Sequence, residues 1–147
     1  MTTTASRSPD NWSLVTSDVE LAATCERWLA AGIIAVDTEF VRERTHYPCP
    51  ALIQVADSHG VVLIDPIEIS DFGPLKGVLL DPSIAKLIHA CDEDLEVLEV
   101  LTGVTVRNVF DTQLASAFAG YGFSIGYRSL VEVLLEVALD KDETRSD

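Results

Sequence analysis

The chain has 147 residues, a formal net charge of −14 and hydrophobic residues at 48% of positions. That length suits one domain with a real core, and the apolar share excludes a disordered chain. No apolar run approaches the roughly 20 residues of a membrane span, no hydrophobic leader follows Met1, and so acidic a chain argues against an extended grip on nucleic-acid phosphates.

Cys25, Cys49 and Cys91 are scattered and form no Cys-x-x-Cys pair. They indicate neither a disulfide framework nor a structural zinc, and a reducing cytoplasm fits best. Residues 1–10 read as a flexible tail. Trp12-Ser13-Leu14-Val15 is the first predicted strand. Ser17 and Glu20 match a capping box, and Val19, Ala22, Ala23, Trp28 and Leu29 follow at roughly helical spacing up to Gly32.

Ile33-Ile34-Ala35-Val36 then runs straight into Asp37-Thr38-Glu39-Phe40. The run is short and rich in β-branched residues, so it reads as a buried strand. On a strand, residues i and i+2 share a face, which sets Asp37 and Glu39 side by side. Two carboxylates so placed repel unless a proton or a cation lies between them, and hard oxygen ligands suit Mg²⁺ or Mn²⁺. The plainer reading is two solvated acids where a strand leaves the sheet. Val41 to Pro50 is a loop by its prolines; Arg42 and Arg44 in it either grip a phosphate backbone or pair with nearby acids.

Ala51–Ala56 and Val61–Asp65 are predicted strands joined by a tight turn at Asp57-Ser58-His59-Gly60. With the Asp37 strand they make an antiparallel meander. Asp71–Leu80 is a short helix, and Ile84–Ala90 a strand reached through it and hence parallel. Asp92-Glu93-Asp94 opens a helix with Leu95, Val97, Leu98, Val100 and Leu101 inward and Gly103 closing it. Acids in a first turn favour the helix dipole, the structural reading for all three. Val104–Phe110 is the next strand, Asp111 an N-cap for the helix Thr112–Ala119, and Arg128–Leu139 a last helix with Leu130, Val131, Leu134 and Leu135 inward. The order predicts an α/β domain, a mixed sheet flanked by helices.

Asp37-Thr38-Glu39-Phe40, His89-Ala90-Cys91-Asp92-Glu93-Asp94-Leu95 and Phe110-Asp111-Thr112-Gln113 together resemble the ribonuclease D branch of the DEDD 3′→5′ exonucleases, a family with a ribonuclease H-like fold. Phe40–Pro48, Leu52-Ile53-Gln54 and Gly126–Leu130 resemble it as well. The resemblance implies Asp37, Glu39 and Asp94 as catalytic metal ligands for two Mg²⁺ or Mn²⁺ ions. It places Thr38, Phe40 and His89 beside the 3′-terminal nucleotide, with Arg42 and Arg44 on the substrate and Asp111 and Gln54 in support. The implied reaction is hydrolysis of RNA from its 3′ end to nucleoside 5′-monophosphates, in tRNA or structured-RNA processing. The implied partner is an RNA 3′ end or single-stranded DNA, with no membrane.

One departure from the family stands out. Its third motif is a Tyr followed four residues later by the last Asp, but here Tyr121 is followed by Ile125 and Tyr127 by Val131. Residues 11–147 are thus expected to be an exonuclease domain that is C-terminally incomplete and weak or inactive for want of the fourth carboxylate. Two competitors follow: a catalytically silent nucleic-acid-binding or scaffold domain, and an unrelated phosphohydrolase built on the Asp-x-Glu pair.

Overall fold

A computed structural model describes residues 11–44 and 46–139. The tail expected over residues 1–10, Thr45 and the charged stretch from Asp140 lie outside the described residues. The elements run β1 (Trp12–Val15), α1 (Asp18–Trp28), β2 (Ile33–Val41), β3 (Cys49–Asp57), β4 (Gly60–Ile64), α2 (Gly73–Leu80), β5 (Ala85–Ile88), α3 (Asp92–Thr102), β6 (Val109–Asp111), α4 (Thr112–Phe118) and α5 (Tyr127–Leu135).

The six strands form one sheet in the order β1-β4-β3-β2-β5-β6. β2, β3 and β4 are the expected antiparallel meander. β5 lies parallel beside β2, β6 parallel beside β5, and β1 parallel beside β4. Helix connections produce these parallel neighbours, since a tight turn can only reverse a strand.

One face of the sheet is packed. Ile34, Val36, Ile53, Val55, Val62, Ile64 and Ile88 point from it into the same core as Leu21, Cys25 and Trp28 of α1, Leu75, Val78 and Leu79 of α2, and Leu98 of α3. The buried stripe of α1 is therefore Leu21, Cys25 and Trp28, at i, i+4 and i+7. The sequence expectation named Val19 and Leu29, which are exposed. The capping box is present: the Glu20 N–H donates to Ser17 Oγ at 3.3 Å and Ser17 Oγ–H to Glu20 Oε2 at 2.9 Å.

The opposite face is open. Among the described residues, Leu14 and Ile33 stand on it at 50% and 58% exposure beside the buried Val15 and Ile34, and Trp12 is 59% exposed at the start of β1. α5 is shorter than expected, ending at Leu135 with Glu136 in the left-handed region at φ 55°. Of the four residues expected inward there, only Leu130 is buried; Leu134 and Leu135 are exposed.

Candidate active site

The alternation of β2 decides what each residue of the Asp37-Thr38-Glu39 stretch can do. Its odd positions face the open side and its even positions the core, so Asp37 and Glu39 are exposed together while Thr38 is buried. Asp37 pairs across the ladder with Gln54 and Glu39 with Leu52. Directly after Glu39 the register shifts, with Phe40 opposite Pro50, so Ala51 is the extra residue of a bulge on β3. Bulges tolerate proline, which cannot donate to the ladder.

The third carboxylate arrives from α3. Asp92 and Glu93 are exposed in its first turn and fit the helix-dipole reading, whereas Asp94 is buried on the same stripe as Val97 and Leu98. A buried carboxylate needs partners. Asp94 finds them on β2: the Thr38 backbone N–H donates to its Oδ1 at 2.8 Å, and the Thr38 hydroxyl donates to the same oxygen at 2.6 Å. The net effect on Asp94 is upward, because burial outweighs the Thr38 hydrogen bonds. Asp37, exposed as a residue, has its carboxyl pushed up to about 6 by withdrawal from water first, then by the charges of Asp94 and Glu39.

Gln54 and Asp111, the two residues expected in support, make different contacts. Gln54 Nε2 donates to Asp37 Oδ2 at 3.2 Å across the β2–β3 ladder. Asp111 caps α4 through the N–H groups of Gln113 and Leu114 and also accepts those of Ala90 and Cys91 at 3.1 and 3.0 Å. It so fixes the turn that launches α3, in which Ala90 holds a positive φ of 56°. Burial by itself would raise the Asp111 carboxyl; the Cys91 backbone and thiol and the Leu114 and Ala90 N–H groups outweigh it and hold it at about 2.

Of the remaining expected residues, Arg42, Phe40 and His89 have partners within the fold. The Arg42 guanidinium pairs with Glu96 at 2.7 Å and lies over the Phe40 ring, 5.8 Å from its centroid. Glu96 is not singled out by the sequence, because a half-buried helix acid offers no signal for such a role. Arg44 is exposed in the same loop with φ 55°. His89 Nδ1 is 2.9 Å from Thr112 Oγ1, its Nε2 2.9 Å from the Ile125 carbonyl, and its ring stands edge-on to Tyr127 at 5.6 Å. It thus ties β5 to the loop before α5. His89 and Asp37 both border an open groove of about 550 Å³ on the uncovered sheet face, lined also by Ala35, Gln54, Leu87 and Tyr127.

The donor chemistry of Asp37, Glu39 and Asp94 fits a hard divalent cation, whose charge would relieve the repulsion that raises Asp37. Among the described residues, no three His, Cys, Asp or Glu side chains converge on one point as a finished metal cage. Asp94 is turned to Thr38 instead.

Residues 13–147 match a family model described as 3′-5′ exonuclease. The chain is 47% identical over 133 residues to ribonuclease D of Pseudomonas paraeruginosa, covering 90% of this chain and 35% of that protein. The crystal structure of Escherichia coli RNase D, described as an exoribonuclease involved in structured RNA processing, superposes with a TM-score of 0.88 at 47% identity, over 93% of this chain and 36% of that one. Trypanosoma brucei RNase D in complex with RNA U12 gives a TM-score of 0.77 at 21% identity, over 88% of this chain and 48% of that one, a likeness of fold. The chain spans about a third of the length of the curated relatives it matches.

Proposed function

The chain belongs to the 3′-5′ exonuclease family and has its ribonuclease H-like fold, and from that premise we propose that it is the nuclease core of a metal-dependent 3′→5′ exoribonuclease. The observation that carries the reading is the juxtaposition of Asp37 and Glu39 on one face of β2 with Asp94, which is hydrogen-bonded to the Thr38 that stands between them. The family is metal-dependent in general. Asp37, Glu39 and Asp94 would hold Mg²⁺ or Mn²⁺, which when bound supply charge neutralisation at the phosphate and an activated water. The chain's own residues position these ligands: Gln54 holds Asp37, and Asp111 holds the turn ahead of Asp94.

The substrate in this reading is the 3′ end of structured RNA, tRNA included; the Escherichia coli relative is an exoribonuclease involved in structured RNA processing. Three free cysteines go with a cytoplasmic setting. Residues 11–147 are the exonuclease domain with three of the family's four carboxylates, so the 147-residue chain binds the ions weakly and cleaves slowly.

A 5′-labelled single-stranded RNA, incubated with excess chain and Mn²⁺, tests this. Slow shortening from the 3′ end, lost in Asp37→Ala, is the expected result. No shortening by the wild-type chain over hours overturns activity in this chain and leaves a nucleic-acid-binding domain.

A further inference from the structure

Thr38 stands between two candidate metal ligands in sequence and faces the other way. It is 6% exposed, on the core side of β2, and both of its donors reach one oxygen of Asp94. Asp94 is itself only 7% exposed and lies 56 residues further along the chain. We propose that Thr38 is a positioning residue that holds Asp94 by Oδ1 so that its other oxygen is presented to the divalent cation, an inference that rests on the metal-dependent reading above.

The argument is geometric. A carboxylate held by one hydrogen bond can still rotate about that contact. Two donors from different directions, an amide N–H on a backbone held by the β2–β3 pairing and a hydroxyl on a β-branched side chain with restricted χ1, remove that freedom. Hydrogen bonds to a charged acceptor are also stronger than neutral ones. Because Thr38 is covalently flanked by Asp37 and Glu39, tying Asp94 to it sets the helix ligand against both strand ligands at once. Asp111 secures the start of α3, and Thr38 secures the ligand itself. Groups that orient metal ligands in this way typically change metal affinity by about 10- to 100-fold when removed.

The test compares the 147-residue chain with Thr38→Val, which keeps shape and the backbone donor but loses the hydroxyl, and with Thr38→Ser, which restores the hydroxyl. Mn²⁺ affinity is read by loss of the free-ion signal in electron paramagnetic resonance, and folding of the metal-free proteins by circular dichroism. The expected result is Mn²⁺ binding weakened about tenfold or more in Thr38→Val, recovered in Thr38→Ser, with both variants folded. A purely structural role would shift melting without this recovery of affinity. If Thr38→Val does not fold, Thr38→Ala against Thr38→Ser makes the same comparison. Mn²⁺ bound by Thr38→Val as tightly as by the wild type, or more tightly, overturns the positioning role alone. No Mn²⁺ binding by the wild-type chain overturns the metal reading and the positioning role with it.

Discussion

Asp111 shows how much one carboxylate can organise. It accepts backbone N–H groups at the end of β5 and at the start of α4, two segments about 20 residues apart. Asp111→Ala removes an N-cap and orphans two further donors, so a loss of about 2 kcal/mol or more is expected in urea unfolding. The pH dependence has a definite sign. A carboxyl held at about 2 in the folded chain, below its ordinary value of 3.8, stabilises fully above that ordinary value and loses the contribution as pH falls toward 2. The difference between wild type and variant should be constant from pH 7 to 5 and shrink below about pH 4; a difference that grows on acidification contradicts it. In the sequence only the cap was legible, because the two bonds to Ala90 and Cys91 depend on β5 and β6 being neighbours. Asp37 and Glu39 were legible through strand alternation alone. Asp94 was separated from Asp92 and Glu93 by the resemblance alone; the residues carried a further signal, since it falls on the apolar stripe with Val97 and Leu98.

At the scale of elements, local chemistry read well and non-local pairing did not. The turn after Asp57 and the capping box of α1 follow from neighbouring residues, but nothing near Trp12–Val15 says that β1 runs parallel beside β4. That pairing relies on Gly60. Its φ is 148°, and a Cβ there would meet the Asn11 carbonyl oxygen at 2.7 Å. The same carbonyl accepts the Val61 N–H at 3.0 Å, and Asn11 Nδ2 donates to the His59 carbonyl at 2.6 Å. Gly60→Ala therefore forces β1 off β4 or strains the hairpin, at a cost of roughly 1–3 kcal/mol. Hydrogen exchange should show protection lost first along Trp12–Val15 and Val61–Ile64; uniform loss across the sheet would mean the strain is not local. Helix α5 marks the opposite limit. Its spacing revealed an apolar face, but a pattern cannot say what covers it, and in the described residues only Leu130 is buried.

For the whole molecule, a net charge of −14 and a nuclease fold pull against each other. The placement of the cations resolves this. Arg27 is paired with Asp57, Arg42 with Glu96, and Lys86 is buried with its ammonium donating to the Asp81 carbonyl. In the described part of the loop that follows Glu39, the cations are Arg42, already engaged, and Arg44. Each phosphate neutralised on a single strand contributes about −0.7 to the slope of log affinity against log salt. If Arg42 and Arg44 are the cations that meet the RNA, they contribute about −1.4, and Arg44→Ala should remove about half of it. Fluorescence anisotropy with labelled single-stranded RNA, at constant Ca²⁺ to avoid cleavage, reads the slope directly. A slope of about −3 or steeper would require further cations on the RNA and would contradict recognition focused on the 3′ end. A shallow slope, with affinity that depends on the divalent ion, would support a metal at the proposed Asp37, Glu39 and Asp94 site doing for the terminal phosphate what lysines and arginines do along the backbone in basic nucleases. The acidity of the chain is then compatible with its fold.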